Sequence, residues 1–222
     1  MSEPEEFLSS LDDAGRAALT ARGRHRRWPA GSSLFLEGDR SSTVVVVVSG
    51  RVKVFSITEQ GEEVVLAVRG PGALLGELSA VDGTPRGASV AALEAVVALV
   101  VPGPDFVAFL TDRPGAAMAL LRLVTSRLRD ADRKRVEFGA FDIAARVAGR
   151  LVELADRFGE PVADGVRIPV PLSQDELAGW VGASREAVAK ALRVLRERGL
   201  VTTGRRTMTV LDIDGLRRRA RG

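Results

Sequence analysis

The 222-residue sequence contains no cysteine and a single histidine, His25. The absence of cysteine excludes disulfides, thiolate nucleophiles, cysteine-held iron–sulfur clusters and ordinary structural zinc sites. A lone histidine argues against His-based acid–base catalysis. His25 lies in the basic stretch Arg22–Arg27, where we expect a solvated surface side chain. The sequence therefore predicts neither a metal site nor a catalytic site.

Long apolar segments are also absent, since no run approaches the roughly 20 residues needed to span a bilayer. The first residues, Met1–Glu6, are acidic and lack an apolar stretch, so we expect no secretory signal. No phosphate-binding P-loop and no nucleophile–base set is found, which argues against an enzyme. We expect a soluble, cytoplasmic protein with no membrane partner.

Charge is distributed unevenly along the chain. Residues 1–100 carry 10 Lys/Arg and 13 Asp/Glu, whereas residues 185–222 carry 11 Lys/Arg and 4 Asp/Glu, a local net charge of +7. A basic end on an otherwise balanced protein indicates a polyanion partner that is contacted at that end. On charge alone, a solvated basic tail remains the alternative.

The N-terminal half combines a short amphipathic helix, predicted over Glu5–Ala21, with a β-rich region from Arg27 to Pro102. Many short strands separated by glycine turns predict an antiparallel barrel or roll. The predicted strands are Ser33–Leu36, Thr43–Val48, Val52–Ile57, Glu63–Val68 and Val90–Val101.

A short helix is predicted over Pro104–Thr111, and a long helix follows from Pro114 to Phe138. Six positions on the long helix, all but one of them apolar, are spaced 3-4-3-4-3, which is typical of a coiled-coil seam. The seam consists of Leu121, Val124, Leu128, Ala131, Arg135 and Phe138. It could join two protomers or pack on its own domain. The segment Gly139–Asp142 interrupts the periodicity and predicts a hinge, with Asp142 as the N-cap of the next helix.

The segment from Leu172 to Leu195 predicts a helix-turn-helix. Ser173 and Glu176 form a capping box that starts the first helix, Gly182 permits the tight turn, and Ser184 caps the second helix. The alternative is a purely structural helical hairpin.

The second of these helices should present Arg185, Glu186, Ala189 and Lys190 outward, where these side chains suit base edges in the major groove. The strands Leu200–Thr203 and Thr207–Leu211 then form a β-hairpin wing. Arg205 and Arg206 lie in its turn and can contact phosphates. The predicted partner is double-stranded DNA.

Four segments carry a resemblance to a known family. They are Gly76-Glu-Leu-Ser, Pro85-Arg-Gly-Ala, Phe141-Asp-Ile-Ala-Ala-Arg and Val181-Gly-Ala-Ser-Arg-Glu-Ala-Val-Ala-Lys-Ala-Leu. In this order the chain resembles the cyclic-AMP receptor protein (CRP/FNR) family of bacterial regulators, in particular its actinobacterial branch. The resemblance implies an α+β fold with an N-terminal antiparallel, jelly-roll-like β-roll of the cyclic-nucleotide-binding type, a long dimerisation helix and a C-terminal winged helix-turn-helix. The implied divisions are 1–112, 113–139 and 140–222.

The resemblance also implies a homodimer through residues 114–138 and a role for RNA polymerase as partner. It assigns base contacts to Arg185, Glu186 and Lys190 and a phosphate contact to Ser173. The complete predicted DNA-binding set is Ser173, Gln174, Ser184, Arg185, Glu186, Ala189, Lys190, Arg205 and Arg206.

In the family's cyclic-nucleotide binders, a Gly-Glu pair and an arginine hold the cyclic phosphate and the ribose, and Gly76, Glu77 and Arg86 match them. Arg127 matches the arginine of the long helix that approaches the glutamate. Three positions depart from the pattern, because Gly87, Ala131 and Asp132 stand where hydroxyl or amide side chains are usual. The predicted effector set is Gly76, Glu77, Leu78, Arg86, Gly87, Arg127, Ala131 and Asp132.

Cyclic AMP is the favoured effector, and no cofactor is obligatory. Haem and iron–sulfur sensing need ligands that this chain lacks. One alternative is a regulator that depends on no nucleotide or on a different effector. Glu77 and Arg86 would then form a plain surface ion pair. The other alternative is a cyclic-nucleotide-binding signalling module that does not bind DNA. The effector is expected to act by shifting the long helix and the hinge.

Overall fold

The computed structural model describes residues 6–204 and 207–222. Two compact units are present: Met1–Ser56 with Ala67–Asp130, and Ile57–Leu66 with Ala131–Gly222. The predicted division into 1–112, 113–139 and 140–222 stays a prediction. Within the described ranges, no helix combines the length and the apolar character that crossing a membrane requires.

The β-rich half of the chain forms two four-stranded sheets, ordered β1-β8-β3-β6 and β2-β7-β4-β5. All strand pairs recorded between these elements are antiparallel. The predicted antiparallel roll is therefore confirmed. The strands are β1 (Arg24–Trp28), β2 (Ser33–Phe35), β3 (Val44–Ser49), β4 (Val52–Ile57), β5 (Glu63–Arg69), β6 (Leu74–Leu75), β7 (Ser89–Ala92) and β8 (Val96–Val101).

Strand β3 contains five consecutive valines because the sheet is buried on both faces. Val44 and Val46 pack into a cluster with the helices, whereas Val45 and Val47 face the interior of the roll beside Trp28. Side chains alternate between the two faces of a strand. Because both faces of β3 are covered by apolar side chains, no buried position of this strand suits a polar residue. The burial ends at Val48, which is 44% exposed.

Four helices accompany the roll: α1 (Asp13–Thr20), α2 (Glu77–Asp82), α3 (Gly103–Asp112) and α4 (Pro114–Ala140). The predicted first helix is longer than α1, since residues 6–12 are not helical and α1 begins only after Asp12, whose side chain accepts from the Gly15 N–H. Helix α2 was not predicted. Strand β1 was not predicted either, because it consists mainly of exposed basic residues, His25 among them.

The second unit is built on α5 (Ile143–Phe158), which packs against three further helices. These are α6 (Gln174–Val181), α7 (Arg185–Glu197) and α8 (Ile213–Arg219). A four-stranded sheet of order β11-β12-β10-β9 completes the unit, so the wing is part of a larger sheet than predicted. Its strands are β9 (Glu160–Val162), β10 (Gly165–Ile168), β11 (Val201–Gly204) and β12 (Thr207–Val210).

The break between α4 and α5 is shorter than the predicted hinge, because α4 continues through Gly139 to Ala140. Asp142 caps α5 as predicted and accepts from the Ala145 N–H at 2.7 Å. Its carboxylate also accepts from the guanidinium of Arg219 at 2.6 Å. The Ala145 N–H, followed by the Arg219 hydrogen bond, lowers the pKa of Asp142 below the usual aspartate range.

We expect Asp142→Ala to reduce the unfolding free energy of the second unit by about 1 kcal/mol, because α5 loses its cap. Because the pKa of Asp142 is lowered in the folded state, its carboxylate stabilises the protein at pH values above the usual aspartate pKa. This stabilisation disappears as the pH falls through the folded-state pKa. The difference between variant and parent should therefore be full at neutral pH and shrink below about pH 4. Urea unfolding across pH measures it, with the exposed Asp164→Ala as control. A pH-independent difference would contradict the carboxylate's role.

Candidate functional site

The first candidate site is built around α2, whose N-cap is Gly76. Gly76 has a left-handed backbone (φ +78°), and a Cβ at this position would lie 2.1 Å from Nη1 of Arg86. Only glycine therefore permits both the turn and the approach of the arginine. Glu77 follows immediately and is buried, with 4% of its surface exposed.

The Glu77 carboxylate is paired with Arg127 of α4, whose Nη1 lies 2.7 Å from Oε1 of Glu77. Nη2 of Arg127 donates to the carbonyl oxygen of Leu74 at 2.8 Å. A buried carboxylate would be costly without such a partner. Oε1 of Glu77 is thus occupied by Arg127, whereas Oε2 can accept a further hydrogen bond.

Arg86 is the most buried charged side chain among the described residues, with 2% of its surface exposed. Its Nη1 donates to the Gly76 carbonyl oxygen at 2.9 Å. Its Nη2 donates to the carbonyl oxygen of Thr43 and, at 3.3 Å, to the hydroxyl of Ser41. The guanidinium also lies 4.3 Å from the ring centre of Phe35.

Burial lowers the pKa of Arg86, and the Glu77 and Asp39 carboxylates partly offset this effect. An arginine remains protonated even so, because its ordinary pKa lies far above neutrality. Nε of Arg86 is buried without a hydrogen-bond partner. The cradle thus holds a fixed positive charge, which suits an anionic ligand.

The structure brings together four of the eight predicted effector residues: Gly76, Glu77, Arg86 and Arg127. The alternative of a plain surface ion pair between Glu77 and Arg86 was wrong, because both side chains are buried and Glu77 pairs with Arg127. The other four predicted residues are exposed. They are Leu78, Gly87, Ala131 and Asp132.

The residues that sequence reasoning missed are the partners of Arg86, namely Phe35, Ser41 and Thr43. They lie more than 40 residues before Arg86, and no local pattern marks them. Only the polar composition of the loop Ser41–Thr43 could have drawn attention to them.

The second candidate site is the helix-turn-helix formed by α6 and α7. The predicted capping box is confirmed: Oγ of Ser173 accepts from the Glu176 N–H at 3.1 Å, and Oε2 of Glu176 accepts from the Ser173 N–H at 2.8 Å. Gly182 ends α6, and the side chain of Ser184 caps α7. The two helices are therefore joined by a turn of three residues.

Helix α7 buries its apolar face and exposes the opposite, polar face. Val188, Ala191, Leu192 and Leu195 are buried. The four residues predicted to face DNA, Arg185, Glu186, Ala189 and Lys190, are all exposed. Sequence reasoning did not include Arg193, which is exposed on the same helix at the next helical repeat and could have been found from that spacing.

Two contacts bear on the charges of this surface. Nη1 of Arg185 lies 3.6 Å from Oδ2 of Asp175, and both side chains are about two-thirds exposed. Nη1 of Arg196 donates to Oγ1 of Thr203 at 2.8 Å and so joins α7 to the first wing strand. The predicted phosphate contacts Arg205 and Arg206 lie outside the described residues.

A buried charge cluster supports α6 from within the second unit. Arg150 of α5 is 4% exposed and pairs with Glu137 and, at 2.8 Å, with Glu153. Lys134 lies 3.6 Å from Glu153, and both cations lie within 6 Å of the Trp180 ring centre. The alternating charges neutralise one another and hold the apolar face of α6 in place.

Comparison with known protein families matches the two candidate sites. The family model described as "Cyclic nucleotide-binding domain" matches residues 25–113, and that described as "Crp-like helix-turn-helix domain" matches residues 145–219.

Related proteins match along most of the chain. The chain is 34% identical over 215 residues to the "CRP-like cAMP-activated global transcriptional regulator" of Mycobacterium tuberculosis, which covers 97% of this chain and 96% of that protein. It is 33% identical over 189 residues to the "Cyclic AMP receptor protein" of Thermus thermophilus, covering 85% and 84%.

A solved structure agrees in fold. The c-di-GMP-responsive global regulator CLP of Xanthomonas campestris matches with a TM-score of 0.77 at 23% identity, over 90% of this chain and 100% of that chain. At this level of identity the similarity supports the roll and helix-turn-helix architecture alone.

Gly76→Ala and Gly83→Ala form a matched pair that tests the packing of the cradle. Both glycines have a left-handed backbone, but a Cβ on Gly83 meets nothing within 4 Å. We expect Gly83→Ala to cost about 1–2 kcal/mol of unfolding free energy from backbone strain alone. Gly76→Ala should cost a further 1–3 kcal/mol or so, because Arg86 must move. Urea unfolding measures both losses, and equal losses would show that Arg86 does not depend on Gly76.

Proposed function

Because the chain belongs to the CRP/FNR family of transcription regulators, we propose that it acts as a homodimer whose DNA binding is controlled by a cyclic nucleotide, with cyclic AMP the favoured effector. Family membership makes it a DNA-binding regulator with a cyclic nucleotide-binding domain. The effector proposal depends on one observation: Glu77 and Arg86 are both buried beside Gly76, and Arg127 forms an ion pair with Glu77.

The chemistry of this cradle suits a cyclic nucleotide. Arg86 and the backbone N–H groups near Gly76 would hold the cyclic phosphate, and Glu77 would accept from the ribose hydroxyl. Nη2 of Arg86 would exchange its bonds with Thr43 or Ser41 for bonds with phosphate. Arg127 would position the Glu77 carboxylate from the opposite side through their ion pair.

The proposed site lacks one hydrogen bond at each end. Gly87 offers no hydroxyl to the phosphate and Ala131 offers no hydrogen bond to the base. Two lost neutral hydrogen bonds correspond to roughly 5- to 150-fold weaker binding. Asp132 can accept from an exocyclic amine, which adenine and guanine both carry. The Xanthomonas relative is named as responsive to cyclic di-GMP, so guanine nucleotides belong in the comparison.

The homodimer proposal is supported by the exposed apolar side chains of α4. Met118, Leu121 and Leu128 are 47%, 56% and 61% exposed, and they follow one another at helical spacing. The seam position Val124 packs against the core of its own unit, which is the alternative that the spacing also allowed. A second copy of α4 is the natural cover for such a stripe, and in a two-fold dimer the same residues meet themselves.

The proposed DNA contact is the exposed N-terminal part of α7. Arg185 and Lys190 would donate to guanine and Glu186 would accept from cytosine, while Ser173, Gln174 and Ser184 would lie near phosphates. In a dimer, two such helices would enter successive major grooves about 34 Å apart. RNA polymerase as partner and a cytoplasmic location follow from this role. The curated relatives are named as regulators, and no enzymatic activity is proposed.

Calorimetry of the full chain tests the effector. We expect cyclic AMP to bind, and Glu77→Gln to weaken binding about 10- to 150-fold because the ribose acceptor loses its charge. Glu94→Gln is the matched control, since Glu94 forms an ion pair with Arg51 in the same unit. Cyclic GMP and cyclic di-GMP are titrated in parallel. If no nucleotide binds at millimolar concentration, the chain is a nucleotide-independent regulator.

Gel-shift titrations with a site selected from random DNA test the output. We expect Arg185→Ala to lose about 1–3 kcal/mol of discrimination between the selected site and random DNA. The exposed Arg27→Ala controls for the loss of one positive charge elsewhere. An equal loss of affinity on both DNAs would mean that Arg185 contacts phosphate only. Failure of the parent protein to bind DNA with a salt-dependent affinity would overturn the DNA-binding role.

A further inference from the structure

A surface groove lies beside the roll, outside the cradle described above. It consists of two cavities of about 330 and 550 Å³ that share Ser42, Ser79 and Gly83. We call it the outer groove and define it by the loop Arg40–Ser42, the segment Ser79–Pro85 at the end of α2 and the α3 residues Gly103–Asp112. All of these residues belong to the first unit.

The outer groove is separate from the proposed effector site. Neither cavity is lined by Gly76, Glu77, Arg86 or Arg127. Glu77 and Ser79 are two positions apart on α2, and two residues correspond to about 200° of rotation around a helix. A ligand in the outer groove would therefore meet the opposite side of α2 from a ligand bound at Glu77.

The polar end of the outer groove has unused hydrogen-bonding groups. Ser79 lines both cavities, and 5% of its surface is exposed. Within residues 6–204 and 207–222, the side chains of Ser79, Ser42 and Arg40 form no hydrogen bond or ion pair. These groups can all donate, and Arg40 adds a positive charge at the rim.

The other end of the outer groove is apolar. Its walls include Ala80, Pro104, Val107 and Ala108. Its acidic side chain, Asp112, already pairs with Arg22 at 3.0 Å. Hydrocarbon can bury here, whereas a charged group cannot find a partner.

The groove is held open by a close packing contact. A Cβ on Gly103 would lie 2.5 Å from the carbonyl oxygen of Ser42, so the loop rests directly on the start of α3. A preformed concave site with a few polar groups and an apolar wall is typical of small-molecule binding. We infer that the outer groove binds a small organic anion, with its carboxylate or phosphate at Arg40, Ser42 and Ser79 and a short hydrocarbon body against α3.

The outer groove also has a direct connection to the cradle. Ser41, which lines the smaller cavity, accepts from Nη2 of Arg86 at 3.3 Å. An anion that moves Ser41 changes the hydrogen bonds of Arg86, and so the two sites should be coupled. This coupling rests on the proposed effector function, whereas binding to the outer groove does not.

Calorimetry with hexyl phosphate and hexanoate, in the absence of nucleotide, tests the site on the full chain. We expect at least one of them to bind once per chain, and the choice between them identifies the head group. Hexanol has the same hydrocarbon body without charge, and inorganic phosphate has charge without the body. Both should bind at least about tenfold more weakly. Absence of binding by both anions at millimolar concentration overturns the proposal.

Three variants locate the binding. Arg40→Gln should weaken the anion at least about threefold, because it removes a charge-assisted hydrogen bond. Ala108→Phe should abolish binding by filling the apolar end, and circular dichroism shows whether this variant folds. Arg27→Gln, an exposed arginine of β1, is the matched control and should bind as the parent does. Equal affinities in Arg40→Gln and the parent place the anion elsewhere and overturn the proposal.

The coupling is measured last, by repeating the cyclic AMP titration in saturating hexyl phosphate. We expect the cyclic AMP affinity to change, and the hexyl phosphate affinity to change by the same factor in the reciprocal titration. An unchanged cyclic AMP affinity would overturn the coupling and leave the groove as an independent site. Failure of cyclic AMP to bind at all would count against the effector and not against the groove.

Discussion

The burial of one guanidinium organises the ligand-facing part of this protein. A buried arginine must have hydrogen-bond acceptors around it, and Arg86 finds them in the carbonyl oxygens of Gly76 and Thr43 and in the hydroxyl of Ser41. These contacts tie the turn before α2 to the loop before β3. They also explain why the turn is a glycine, since any Cβ would displace the arginine. The cradle and the outer groove lie on the two sides of this arrangement, and both depend on it.

The second unit meets the same requirement with ion pairs. Arg150 is as buried as a core residue, and Glu137 and Glu153 neutralise it while Lys134 completes the cluster. The two cations lie beside Trp180, so the charges and the apolar face of α6 stabilise each other. A rigid α6 is what a helix-turn-helix needs, because the direction of α7 is set by the turn that follows it.

Much of the helix-turn-helix surface could be predicted from the sequence because its determinants are local. A cap residue and the N–H groups that it satisfies are within three positions, and the exposed face of a helix repeats every three to four residues. Ser173, Ser184 and the α7 face were predictable on these grounds. Strand β1 was not, because four exposed basic residues at the edge of a sheet have no apolar alternation, and its pairing with β8 involves residues about 70 positions away.

The sequence by itself determined the caps of α5, α6 and α7 and the glycine turns of the roll, all of which follow from propensity and short-range hydrogen bonding. Tertiary structure alone decided which partner each buried charge takes. Glu77 pairs with Arg127, 50 positions away, and Arg86 with Thr43, 43 positions away. It also left Ser79 facing a groove with no partner among the residues described. The physical reason is that desolvation makes each buried charge accept whichever partner the packed chain brings within hydrogen-bond distance, and sequence separation carries no information about that distance.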